Sequence, residues 1–300
     1  MVAHSSVQTS GPVQSSSSLS GLRGRLGTIL LYVLAIVLCV AFGYPFFYTL
    51  SSSLKAPSEI YIFPPTLLPE VPQWQNYTRV LTEYPYTTWF MNTVFVTLVA
   101  TLGTVLSSSL VAYSFARFSY RGRDGLFLIT LATMMLPAQV TLIPQFILFW
   151  KLGWLDTFYP LWVPMWFGGT AFFIFLMRQF MMSLPRELDE AALIDGASRF
   201  RIYWNILMPL CKPVLATAAI IAFMAEWNRF IEPVIYLNSP MKFTLSVGVS
   251  FFKQNADSSS EILQHILMAA AVMMIAPTLV VFFSAQKYFV QGIAMTGIKG

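Results

Sequence analysis

Two short stretches hold the residues best suited to chemistry, and neither is arranged to make or break covalent bonds. The first runs Glu190-Ala191-Ala192-Leu193-Ile194-Asp195-Gly196, then Phe200, Tyr203, Trp204 and Leu207, and closes on Pro209 and Pro213. Its chemistry is that of docking. Leu184-Pro185 opens a helix, with proline suited to the first turn. Glu187, Asp189 and Glu190 place negative charge where the helix dipole favours it, and Ala191 and Ala192 are small and helix-favouring. Gly196 supplies the positive φ that ends such a helix. Phe200, Tyr203, Trp204 and Leu207 then recur at helical spacing as one apolar face. A rigid helix-turn-helix of this kind fits a partner's groove and equally fits the surface of a membrane. The second stretch, Glu226-Trp227-Asn228-Arg229, stands inside an apolar run and offers ion-pair chemistry at low dielectric.

Absent motifs narrow the field. The chain has no G-x-x-x-x-G-K-[ST] phosphate loop and no H-E-x-x-H, C-x-x-C or G-x-S-x-G. Cys39 lies in an apolar run and Cys211 near a proline-flanked loop, so both read as structural, with neither a disulfide nor a metal site. Of 300 residues, 56% are hydrophobic and 10% charged, against roughly 25% charged in soluble domains. The net charge of +5 is spread beside apolar runs and forms no nucleic-acid patch.

The elements that must position these residues are therefore membrane spans. A helix needs about 20 apolar residues to cross the hydrocarbon layer. Six stretches qualify, about Leu26–Leu50, Trp89–Phe115, Leu126–Trp150, Phe158–Met182, Pro213–Ile235 and Leu263–Val290. Backbone groups in lipid must pair internally, so helices are expected. With both termini inside, twelve of the eighteen Lys and Arg residues fall on the inner side and six on the outer; Arg117, Arg121 and Arg123 are the clearest inner marker. Residues 1–22, rich in serine, read as a disordered tail before a transmembrane domain over 23–300. A proline- and aromatic-rich outer loop covers about Ser51 to Thr88. The inner loop, about 183–212, holds the docking stretch.

Glu226 lies about 20 Å along a helix that starts at Pro213, in the outer half of the bilayer. Glu226, Arg229 and Glu232 are spaced by three, so one helix face would carry all of them and neutralise their charges. The cluster reads as a polar pathway lining or gate at Glu226, Trp227, Asn228 and Arg229, or as a neutral packing device. Pro137 and Pro144, with Gln139 and Gln145, interrupt the third span, and interrupted helices either line cavities or simply kink. His265 reads as structural.

The docking stretch resembles the EAA loop of ABC importer permeases: Glu-Ala-Ala, three residues, Gly, nine residues, Ile, one residue, Leu-Pro. Glu190, Ala191, Ala192, Gly196, Ile206 and Pro209 match, and Met208 stands in place of Leu. Glu59 to Pro65 with Asn76-Tyr77, Ala112 to Arg117 followed by Arg121-Gly122-Arg123, Pro137 to Trp154, and Tyr288 to Gly292 with Lys299-Gly300 resemble the carbohydrate-uptake branch, specifically the maltose-type permease partner without a large outer domain. The resemblance implies an all-α fold of six transmembrane helices of the type I importer kind. It implies a coupling helix at Glu190, Ala191, Ala192, Asp195, Gly196 and Pro209 that sits in an ATPase cleft. It further implies a second permease, two ATPase subunits that bind ATP and Mg, and an extracytoplasmic solute-binding protein, with no cofactor or catalytic residue in this chain. The implied cargo is a sugar or sugar-like polyol, glycerophosphodiesters included, carried by alternating access in the bacterial inner membrane. Relatives often carry an acidic residue where Arg229 stands, so the Glu226 cluster says little of the cargo. An ion-coupled carrier would need charges near the midplane, and an intramembrane enzyme a nucleophile and base; the sequence supplies few of the first and none of the second.

Overall fold

The computed structural model describes residues 17–256 and 263–297, and no strand occurs among them. The first sixteen residues, which hold much of the serine-rich stretch, lie outside the described residues, as does Lys299-Gly300. Helix α1 (Ser17–Ser53) begins inside the expected tail. From Gly27 it is apolar on all sides and stays exposed as far as Phe47, packing along the last helix, α14 (Gln264–Gly297), before Ser51, Ser52 and Ser53 are buried. A helix apolar all round needs a membrane or another protein around it.

The loop after α1 is held by its own polar groups. The Asn76 amide donates to the carbonyls of Ser53 and Lys55 at 2.8 and 3.1 Å, and the hydroxyls of Ser53 and Tyr77 meet at 2.7 Å. Lys55 is buried and donates to the Thr66 carbonyl. These bonds satisfy backbone that would otherwise be stranded. A short helix, α2 (Gln75–Thr82), leads to α3 (Tyr86–Arg117), 32 residues without a proline, the axis of the molecule.

The remaining expected spans are all bent or interrupted except the last. Helix α4 (Arg123–Ala132) continues as a 3-10 turn to Met135 and meets α5 (Ala138–Lys151) at 99°. Leu136, before Pro137, is held extended at ψ 120°, as the proline ring requires of its predecessor. Pro144 is absorbed within α5. The fourth span divides into α6 (Tyr159–Trp162) with a following 3-10 turn to Trp166, and α7 (Ala171–Ser183). Gly168 and Gly169, at φ +100° and +58°, make the break. The Ser107 hydroxyl of α3 donates to the Met165 carbonyl at 2.8 Å, and that of Ser108 to the Gly168 carbonyl at 3.2 Å. Those donors are what make an interrupted helix tolerable at membrane depth.

The docking stretch forms α8 (Glu187–Ile194), α9 (Arg199–Ile202), a π-turn over Tyr203–Leu207 and α10 (Met208–Leu210). Helix α8 starts two residues beyond Pro185, which therefore lies outside the helix. At Cys211 the chain bends by 79° into α11 (Lys212–Trp227). The fifth span was expected to run to Ile235, but it stops at Trp227. Asn228 to Phe230 break it, and α12 (Ile231–Tyr236) and α13 (Leu245–Ala256) follow. Four stretches among the described residues are long and apolar enough to cross a membrane, and six if each bent pair counts as one span.

Two hydrophobic cores form, one toward each end of α3. Trp89, Phe149, Leu161, Trp227, Tyr236 and Leu245 meet toward the Tyr86 end. Tyr113, Met177, Met181, Ile202, Tyr203 and Leu207 meet toward the Arg117 end.

Candidate functional site

Glycine is required at Gly196 by the backbone and not by space: φ is +78°, while no atom lies within 4 Å of the point a Cβ would occupy. The turn closes by Ala197 N–H donating to the Ala192 carbonyl at 2.9 Å and Gly196 N–H to that of Leu193 at 3.0 Å. That pair is the Schellman pattern of a helix end. Glu190, Ala191, Asp195, Gly196 and Pro209 are exposed and Ala192 is buried. Ile194 is 87% exposed and Phe200 67%, so the turn presents an apolar tip flanked by carboxylates.

The expected apolar face from Phe200 to Leu207 does not form as one surface. Tyr203 and Leu207 are buried, and Phe200 and Trp204 face outward. The π-turn inserts an extra residue per turn there, which redirects the side chains.

Behind the tip, α3 holds the loop through residues spaced by four. Arg117 Nε lies 3.1 Å from Asp189 Oδ2, both side chains being buried, and Arg117 Nη2 donates to the Leu184 carbonyl at 3.2 Å. The Tyr113 hydroxyl donates to the Arg199 carbonyl at 3.0 Å. The Ser109 and Tyr203 hydroxyls meet at 2.7 Å. Ser198 caps α9 by accepting from Arg201 N–H at 3.3 Å. The seat was missed in the sequence. Its signal was the spacing Ser109, Tyr113, Arg117 on one face of a helix, which looks like any half-polar face until the partners are known.

The second cluster sits at the far end of α11. Arg229 Nη2 lies 2.9 Å from Glu226 Oε1, and Arg229 Nη1 donates to the Leu161 carbonyl at 2.9 Å. Glu232 was expected on the same helix face, but the break after Trp227 carries it to α12, and no Arg229–Glu232 ion pair forms among the described residues. Trp227 is buried; its indole donates to the Met274 carbonyl at 3.2 Å, and its ring stacks on Phe223 and meets Phe90 edge-on. Asn228 alone of the four is exposed, and its amide turns back to the Met224 carbonyl at 2.8 Å. It borders an apolar trough of about 330 Å³ with Phe46, Met274 and Phe282. Thus Glu226 and Trp227 point into this chain's own core, and Arg229 pins the break to the fourth span.

Beside this cluster, Asp156 ties two loops. Its carboxylate accepts from the Ser239 hydroxyl at 2.6 Å, the amides of Ser239 and Asn238 at 2.9 and 3.0 Å, and Lys242 Nζ at 2.9 Å. The Ser239 hydroxyl, together with the other donors, holds the carboxyl well below the usual carboxylate range against a smaller opposing effect of desolvation.

Gln139 and Gln145 are exposed on α5, and Gln145 donates to the Thr141 hydroxyl at 3.3 Å. His265 is buried. Neither cysteine is bridged. No group of three or more His, Cys, Asp or Glu side chains suited to a metal occurs among the described residues.

Comparison with known proteins agrees with this architecture. A family described as binding-protein-dependent transport system inner membrane component matches residues 105–295. The arabinooligosaccharides transport system permease protein AraQ of Bacillus subtilis (strain 168) is 32% identical over 275 residues, 91% of this chain and 96% of its own. The maltodextrin transport system permease protein MdxG of the same organism is 31% identical over 277 residues, 92% of this chain and 97% of its own. A chain in the crystal structure of a bacterial ABC transporter involved in the import of the acidic polysaccharide alginate superposes with a TM-score of 0.79 at 28% identity, covering 93% of this chain and 100% of that one. With its bent apolar helices, its glycine-ended turn and a family match over most of its length, the chain belongs to the binding-protein-dependent transport system inner membrane components, as a multi-pass permease of the ABC transporter kind.

Proposed function

We propose that this permease passes a sugar or sugar-like solute, delivered by an extracytoplasmic binding protein, inward across the bacterial inner membrane by alternating access driven by separate ATPase subunits. One observation carries the coupling: apart from Ala192, the tip from Glu190 to Gly196 is exposed and partly apolar, yet its base is fastened to α3 by a buried ion pair. A surface that is open in front and rigid behind can receive a push from a partner and pass it on. The ATPase subunits are read to grip Glu190, Ala191, Asp195 and Gly196, with Ala192 and Pro209 shaping the base. They also supply the ATP and Mg sites, so this chain needs no cofactor of its own.

The cargo reading rests on relatives named for arabinooligosaccharides and maltodextrin and on a structural neighbour from an alginate importer. Both termini are placed in the cytoplasm, because that orientation puts Arg117, Arg121 and Arg123 inside. A second permease is read to cover the bare faces of α1, α4 and α5.

The test uses the whole complex in proteoliposomes with its binding protein and a panel of oligosaccharides. Gly196→Asp is expected to insert and assemble but to lose ATP-driven uptake by tenfold or more. Uptake equal to the parent complex would overturn the coupling assignment. A wild-type complex that takes up no saccharide from the panel would overturn the cargo class.

A further inference from the structure

We infer that α3, and not either of the spans joined by chain to the coupling loop, carries the loop's movement across the membrane, with Arg117 and Asp189 as the joint. The inference rests on the reading of residues 183–212 as the ATPase-facing loop and goes beyond it by naming the route.

Both covalent routes out of the loop are interrupted. Upstream, the fourth span is broken at Gly168 and Gly169, two consecutive residues at positive φ. Downstream, the π-turn and the 79° bend at Cys211 separate α9 and α10 from α11. A push along the upstream path meets a gap in the helix, and a push along the downstream path must turn through 79°. Helix α3 has neither, and its 32 residues span about 48 Å at 1.5 Å per residue.

The same helix is tied at both ends, at one of them by the ion pair together with hydrogen bonds. Near one end, Arg117, Tyr113 and Ser109 hold Asp189 and Leu184 on the near side of the Gly196 turn, and Arg199 and Tyr203 on the far side. The turn therefore cannot move without α3. Near the other end, the Asn92 amide donates to the Met241 and Phe243 carbonyls at 2.9 and 3.0 Å. Thr93 accepts from Leu245 N–H at 2.7 Å, and the Trp89 indole donates to the Pro240 carbonyl at 2.8 Å. Phe90 meets Trp227 edge-on, next to the Glu226–Arg229 pair. One rod thus links the loop to the segment from Pro240 to Leu245 and to the end of α11.

Arg117 and Asp189 are positioning residues in this scheme. Their side chains are only 2% and 9% exposed, so solvent and salt do little to loosen them. They lie behind the docking tip, and the ATPase subunits need not touch them.

The experiment measures basal ATPase, its stimulation by loaded binding protein, and uptake in proteoliposomes that hold the complete complex. Asp189→Asn is expected to leave basal ATPase and subunit yield unchanged while stimulation and uptake fall by tenfold or more. The exchange Arg117→Asp with Asp189→Arg is expected to recover uptake to within threefold of the parent. Asn92→Ala, at the opposite end of α3, gives an independent reading where Asp189→Asn fails to assemble, and the same split between basal and stimulated ATPase is expected. Full stimulation and uptake in both Asp189→Asn and Asn92→Ala would overturn the proposal. So would loss of both with no recovery in the exchange and full activity in Asn92→Ala. A wild-type complex without ATP-driven uptake would instead overturn the importer reading itself, a result distinct from either.

Discussion

Single residues in this chain act mostly by satisfying the polar groups of an irregular backbone. Asn76 serves two carbonyls, and Ser107 and Ser108 serve one each. Asp156 goes further, since four donors converge on it from the segment 238–242. Because its folded carboxyl is held low, the tie is fully present above the unfolded value of about 3.9. It is lost only as pH falls through the lower, folded value. Amide protection at Asn238 and Ser239, read by hydrogen exchange in nanodiscs, is therefore expected to stay constant from pH 8 to pH 5. Asp156→Asn is expected to lower it at every pH in that range; a protection that titrates near pH 6 would contradict the assignment. Gly196 is a different kind of residue, because its role is conformational. An alanine there costs roughly 1–2 kcal/mol for the left-handed backbone, against no steric contact at all.

At the level of elements, the sequence located spans well and their interruptions unevenly. Apolar length placed four stretches as single spans and two more as bent pairs, and the positive φ of Gly196 followed from residue type and position. Pro137 was visible as an interruption, but its 99° outcome was not, because proline fixes only the residue before it and leaves the following helix free in direction. Gly168-Gly169 was passed over, since the apolar residues on both sides make one window of sufficient length. The break after Trp227 was missed for the same reason, and the charge cluster built on it had to be redrawn. The seat of the loop over 183–212 needed pairs more than sixty residues apart, which periodicity cannot report. The elbow between α4 and α5 is testable by itself. Spin labels at Leu128 and Ile147, both exposed, are expected to move apart in Pro137→Ala as Leu136 regains access to helical backbone. An unchanged distance would show that packing against neighbours, and not proline, sets the angle.

The whole molecule has two cores on one rod and a large remainder that this chain alone leaves bare. Ile29 to Leu38 on α1 and Leu126 to Ile147 on α4 and α5 are mostly exposed apolar side chains. Hydrogen exchange along α4 and α5 is expected to be fast for the isolated chain in detergent and several-fold slower in the assembled complex. Equal rates would mean that lipid alone covers those faces. The bareness has a further consequence. The elbow is not the cause of that bareness: Leu136 N–H donates to the Thr133 carbonyl at 3.2 Å and the Pro137 carbonyl accepts from Val140 N–H at 3.0 Å, so the link keeps these peptide groups paired. A copy without neighbours would therefore differ from a covered one by the apolar side chains of α1, α4 and α5 that it shows, and not by stranded backbone. The same side chains that would seat a neighbour thus also distinguish a seated copy from a solitary one.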